Sequence, residues 1–231
     1  MFKKFVFLYI IIMAVVVGQT PTQAYKFEFD TVTDIVKKVR AKFNEFDSYS
    51  ANFTVTTTKQ GKSSVQTGSI KSKKPNYLFV QFTSPSNQKI ISDGKMMWVY
   101  IPSMNVVAEQ DLKEDKGTVF TSGTNEGLKR LFSKYHYKFA SKEQPVTEAD
   151  GKKYYKIFLQ QKESRSGYKT MVLTINEDFL ITKAVGETSS GKTITLEFTN
   201  ININENFQKG LFKLEIPSNA KIIKNPMISE E

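Results

Sequence analysis

The sequence predicts a mainly β protein with α elements: a strongly curved antiparallel sheet of about eleven or twelve strands wrapped round one long helix. Three observations lead there. One amphipathic helical period occurs early, between Thr31 and Phe46. From Tyr49 onward short runs alternate with period two and are broken by turn residues. Finally, a sheet with one polar face needs its other face covered, and the chain offers little helix to cover it. Curvature resolves that shortage.

In order along the 231 residues, the first segment, MFKKFVFLYIIIMAVVVGQTPTQA, has two lysines, an apolar run from Phe5 to Val17 and a polar stretch ending in Thr22-Gln23-Ala24. That is the pattern of a secretory signal over residues 1–24, with cleavage after Ala24, and the run is shorter than the roughly 20 residues of a spanning helix. Removing 24 of 231 residues leaves 207, expected as a single domain over 25–231. The charge falls only from +10 to +8, because Lys3 and Lys4 are the charged residues removed. Cysteine is absent, which excludes disulfides and a lipid-bearing cysteine on the mature chain. A soluble protein on the far side of the inner membrane is expected, acting as a monomer.

Val32, Ile35, Val36, Val39, Phe43 and Phe46 form one helical stripe, with Asp30 or Thr31 as cap and Asp34 in the first turn. Six strands follow: YSANFTVTTTK, SSVQTGSIKSK, NYLFVQF, NQKIIS, MMWVYIP and NVVAEQDL, joined by turns that include Gln60-Gly61-Lys62 and Asp93-Gly94-Lys95. DLKEDKGTVFTSGTN reads as loop, and Asn125 then opens a short helix with Leu128, Leu131 and Phe132 on one face. Strands resume over YHYKFASKE, KKYYKIFLQQKE, YKTMVLTINE, FLITKAVGET, KTITLEFTNININ and LFKLEIP, with Asp150-Gly151 and Ser190-Gly191 among the turns.

Several chemistries are disfavoured. Gly186-Glu187-Thr188-Ser189-Ser190-Gly191-Lys192-Thr193 matches GxxxxGK[ST], but TITLEF after it alternates as a strand where a phosphate loop needs a helix N-terminus. A single histidine, His136, cannot make a zinc site or a serine triad with these residues. Glu109, Asp111, Glu114 and Asp115 lack the spacing of a calcium loop. No enzyme activity and no cofactor are expected. The basic cluster Lys71-Ser72-Lys73-Lys74 adjoins a strand with apolar residues on both faces, Leu78, Val80 and Phe82 against Tyr77 and Phe79, which argues against nucleic acid. The positive surplus instead favours transient contact with an anionic membrane surface or acidic partners.

The block Lys74-Pro75-Asn76-Tyr77-Leu78-Phe79, Ser84-Pro85, and Ile91-Ser92-Asp93-Gly94-Lys95-Met96-Met97-Trp98-Val99-Tyr100-Ile101-Pro102, with Tyr49-Ser50-Ala51-Asn52-Phe53-Thr54 before it and Phe212-Lys213-Leu214-Glu215-Ile216-Pro217 near the end, resembles the outer-membrane lipoprotein carrier protein family. The resemblance implies an unclosed antiparallel β half-barrel of about 11 strands covered by a helical lid over an apolar cavity. It implies a periplasmic chaperone that accepts lipidated proteins from an inner-membrane ATP-driven lipoprotein-releasing transporter and passes them to an outer-membrane receptor. The alternatives are an envelope-stress sensor or a carrier of another lipid with the same half-barrel. The expected acyl-chain or lid contacts are Val36, Val39, Phe43, Leu78, Val80, Ile91, Met97, Val99, Phe120, Leu131 and Phe132. Lys74 falls where the family has an arginine that looks like a lid latch, and Trp98 is a residue of the outer wall. Met96 and Met97 suit a lining that adapts to variable apolar shapes. Val119 and Phe120 fall loosely on the family's lid segment.

Overall fold

The sheet is built from two meanders joined by one long-range pairing. In the computed structural model, which describes residues 30–84, 88–112, 125–163 and 167–225, the first meander comprises β1 (Ser48–Lys59), β2 (Lys62–Lys73), β3 (Tyr77–Ser84), β4 (Lys89–Asp93), β5 (Met96–Ile101) and β6 (Val106–Asp111). After β7 (Tyr135–Phe139) and the two-residue β8 (Val146–Thr147), the second comprises β9 (Lys153–Gln161), β10 (Tyr168–Ile175), β11 (Ile181–Thr188) and β12 (Thr193–Ile203). Antiparallel pairing of β1 with β12, which places Phe53 opposite Phe198, makes one sheet of both. With β13 (Lys221–Lys224) the order is β13-β6-β5-β4-β3-β2-β1-β12-β11-β10-β9-β7, and β8 also pairs with β9. The two ends of that path do not meet, so the sheet of thirteen strands is unclosed.

The turns follow from local chemistry. Gly94 has φ +92°, a left-handed conformation that costs glycine little, and the Asp93 carboxylate accepts from the backbone N–H groups of Lys95 and Met96, both at 2.9 Å. The phosphate-loop look-alike is the β11–β12 hairpin: the Thr188 N–H donates to the Lys192 carbonyl, Gly191 has φ +73°, and β12 follows. Gly186 within it is required for another reason. A Cβ there would lie 2.5 Å from Cδ1 of Tyr168.

Helix α1 (Val32–Glu45) starts at a capping box, with the Asp34 N–H donating to Thr31 Oγ1 at 3.2 Å and the Thr31 N–H donating to Asp34 Oδ2 at 3.1 Å. Asp30 instead accepts from Lys38 Nζ at 2.7 Å. The buried stripe Ile35, Val36 and Val39 packs with Leu128 and Phe132 of α2 (Asn125–Lys134) and with Ile157, Leu159, Leu173 and Ile175 from β9 and β10. The helices therefore cover the second meander, on the inner face.

Two strand expectations need correction. The segment Phe212–Pro217 is not a strand: residues Lys209–Phe212 form a 3-10 turn and the chain reaches β13 only at Lys221. There it runs parallel to β6, with Lys221 opposite Val106, in a sheet whose other pairs are antiparallel. The cause is Phe212, which is 1% exposed and packs against Tyr77 and Phe207 with ring centroids 5.3 and 6.2 Å away. Burying that ring draws the segment onto the outer face of β3 and β4 and out of the ladder, and Pro217 has no N–H to offer a strand. The expected strand from Tyr135 ends early, at Phe139. The expected signal over residues 1–24, and Val119 and Phe120, lie outside the described residues.

Phe212→Ala should lower stability by about 3–5 kcal/mol through lost transfer energy and the cavity left under the C-terminal segment. The urea midpoint reads this directly, with Leu211→Ala, a neighbour that keeps more solvent contact, as the milder comparison.

Candidate functional site

Cross-strand register fixes which side chains share a face. Ser72 pairs with Leu78, Leu78 with Ser92, and Ser92 with Met97, while Ile70 pairs with Val80, so these residues all point to the inner, concave face. There the helices do not reach. Between this part of the sheet and the helix ends lies a cavity of about 850 Å³.

Its walls are contributed by several elements. Tyr49, Ala51, Ile70, Leu78, Val80 and Met97 come from the first meander; Met171, Leu173, Ala184, Ile194, Leu196 and Phe198 come from the second. Phe43 and Phe46 border it from the C-terminal end of α1, and Leu128, Arg130 and Leu131 from α2. Phe46 links ring to ring with Phe43 at 5.3 Å and Tyr49 at 5.9 Å. The serines on the wall are satisfied: Ser92 Oγ donates to the Asn76 carbonyl at 2.8 Å, and Ser72 Oγ donates to that of Tyr77 at 3.2 Å. Tyr135 Oη donates to the Tyr168 carbonyl at 2.8 Å. Tyr49 keeps some surface toward the cavity but is walled in by protein, and this burial pushes its phenol up to about 12. A concave space of this volume lined mainly by apolar side chains has the dimensions of a ligand pocket.

The expected contacts divide into three groups. Phe43, Leu78, Val80, Met97 and Leu131 line the cavity. Val36, Val39 and Phe132 do not: they belong to the packed core over β9 and β10, where Phe132 meets the Tyr137 ring edge-on at 5.5 Å. Ile91 and Val99 also lie off the lining, for different reasons. Ile91 pairs with Phe79 and Trp98 and so points to the outer face, where it is 3% exposed. Val99 shares the inner face with Met97 but stands beyond the cavity and is half-buried. Phe120 lies outside the described residues. Trp98 is on the outer face, where its indole N–H donates to Glu109 Oε1 at 3.1 Å.

Lys74 joins the sheet to α1. Its backbone N–H donates to the Asp47 carbonyl at 2.7 Å, and its Nζ donates to the Asn44 carbonyl at 3.0 Å. The ammonium is 5.7 Å from the centroid of the Phe46 ring. A cation on a last-turn carbonyl complements the helix dipole, and the same ammonium lies beside Phe46, which borders the cavity.

Sequence reasoning missed the wall from β10–β12, although its signal was present in the alternation of Met171 with Leu173 and of Ile194, Leu196 and Phe198. It also missed Arg130, because a charged residue in a helical pattern reads as solvent-facing.

Residues 44–215 match the protein family described as Outer membrane lipoprotein carrier protein LolA. An outer-membrane lipoprotein carrier protein from Hahella chejuensis is 25% identical over 84% of this chain and 87% of its own length. One from Pectobacterium carotovorum is 32% identical over 46% of this chain and 50% of that protein. Among solved structures, an uncharacterized conserved protein from Thermus thermophilus is 12% identical, covers 83% of this chain and 98% of that one, and superimposes with a TM-score of 0.55, a likeness of fold.

Two measurements check this geometry. An ordinary tyrosine ionises near 10. The unfolded chain therefore loses this proton before the folded one, and the stability present below about pH 10 is lost as pH rises towards about 12. Subtracting the phenolate absorbance titration of Tyr49→Phe from that of the unaltered protein should isolate one phenol titrating near 12; a difference centred near 10 contradicts its enclosure. Lys74→Leu should raise amide hydrogen exchange in the last turn of α1 severalfold while leaving the first turn unchanged, and Lys74→Arg should restore most of the protection.

Proposed function

The chain belongs to the outer membrane lipoprotein carrier family, and on that premise we propose that it is a periplasmic carrier that shields the acyl chains of lipidated proteins and moves these proteins from the inner to the outer membrane. The observation that carries this reading is the cavity itself: about 850 Å³ of largely apolar space on the concave face, left where two short helices fail to cover a wide sheet. A packed core would leave no such space. Acyl chains fill it without requiring directional contacts, and each CH₂ withdrawn from water contributes about 0.8 kcal/mol.

Uptake and release need the rim to move, because the lining residues that meet each other in the empty state must meet lipid in the loaded one. Lys74 is the latch in this proposal: letting go of the Asn44 carbonyl frees the end of α1 that carries Phe43 and Phe46. The proposed donor is an inner-membrane ATP-driven lipoprotein-releasing transporter, and the proposed acceptor an outer-membrane receptor, with the net positive chain making transient contact with anionic membrane surfaces on the way. The signal expected in residues 1–24 supports export. Among the described residues no helix is long and apolar enough to cross a membrane.

Site-specific photocrosslinking from Leu78 and Leu131 in the native envelope tests the cargo. Adducts dominated by lipidated proteins are expected; adducts to free lipid alone would replace the lipoprotein carrier with a carrier of another lipid. Leu78→Glu should weaken binding of a lipidated peptide by about 2 kcal/mol, roughly 30-fold, by putting a charge on the apolar wall. Lys74→Leu should change the rate of lipoprotein transfer between membranes severalfold, and an unaltered rate would remove Lys74 from the mechanism.

A further inference from the structure

Arg130 is the one charged side chain on the cavity lining among the described residues. Resting on the acyl-chain reading above, we infer that the cavity takes amphiphiles that bring a negative charge beside their chains, a carboxylate or a phosphate, and that Arg130 receives it. Leu128 and Leu131, on either side of Arg130 in α2, line the same wall, so Arg130 sits in the part of α2 that borders the cavity.

Its Nε is shut off from solvent and has no hydrogen-bond partner. That donor cannot be relieved by deprotonation, because guanidinium stays charged in proteins. Leaving it unmet is unfavourable, and among the described residues no ion pair answers it: those present join lysines to Asp30, Asp34, Glu45, Glu148 and Glu197. A ligand anion would fit the planar fork of donors, which pairs with carboxylate or phosphate through parallel N–H bonds. In a site lined mainly by apolar side chains, that bond would be strengthened by the scarcity of competing water. Arg40 provides the contrast. Its Nε is likewise unpartnered, but it is not on the lining, so it offers a control of equal charge.

The test is a matched pair of fluorescent probes, cis-parinaric acid and its methyl ester, titrated into the purified protein at neutral pH. The carboxylate should bind about tenfold more tightly than the ester, equivalent to about 1.4 kcal/mol. Arg130→Met should abolish that preference, with its circular dichroism spectrum and urea midpoint showing that the variant is folded; Arg130→Lys should keep part of it, and Arg40→Met all of it. Displacement of the bound ester by phosphatidylglycerol in preference to phosphatidylcholine of the same chains would assign the charge to a phosphodiester head. Displacement by fatty acid alone would assign it to a carboxylate. Equal binding of acid and ester, or a preference that survives in Arg130→Met, overturns the inference and leaves the acyl-chain cavity standing. Failure of both probes to bind overturns the cavity reading and the inference with it.

Discussion

A wide antiparallel sheet must have its apolar face covered, and here the covering material is too small. Twelve strands at about 4.8 Å spacing span nearly 60 Å across the ladder. A helix is about 10 Å wide, and α1 and α2, of 14 and 10 residues, are about 21 and 15 Å long. Together they can dress only part of the inner face. Because Ile35, Val36 and Val39 pack on β9 and β10, the helices spend their apolar stripe on the second meander, and the concave face of the first is left to close round a space. The cavity is thus a remainder set by geometry. Its position follows from which half the helix chose.

That choice explains what could be read in the sequence and what could not. Period-two runs and turn chemistry mark β1–β6 and β9–β12, and Thr31 with Asp34 marks the start of α1, since each depends on residues within a few positions of one another. Which half α1 covers depends on contacts with β9 and β10, more than a hundred residues away, and no local pattern encodes it. Hence Val36 and Val39 are packed core while Phe43, on the same stripe, borders the cavity. Alternation likewise divides a strand into two faces without saying which is inner. Met97 and Ile91 look alike in sequence, and only the register, Ser92 against Met97 and Ile91 against Trp98, separates them.

The outer face has an organisation of its own. Phe212 and Phe207 bring the C-terminal segment across β3 and β4, close to Tyr77 on the face opposite Leu78. β3 is therefore apolar on both sides for two reasons, one facing the cavity and the other facing this strap. Trp98, tied to Glu109, extends the same outer layer. Lys74, at the β2–β3 turn, connects this region to the last turn of α1. The space thus has a sheet wall on one side and, on the other, the end of α1 tied to Lys74 together with part of α2.

An unclosed sheet also has two ends, and those of this one are short. β13 is the four residues Lys-Ile-Ile-Lys, and at the opposite end β7 and β8 divide one edge of β9 between them, meeting residues 157–161 and 153–154. Neither end offers a long, flat, unpaired backbone, and lysines flank the two exposed isoleucines of β13. Among the described residues, a second copy would find only these short edges on which to add its own strand. The sheet can therefore stay open along its concave side while the strand edges described at its two ends stay short, charged or divided.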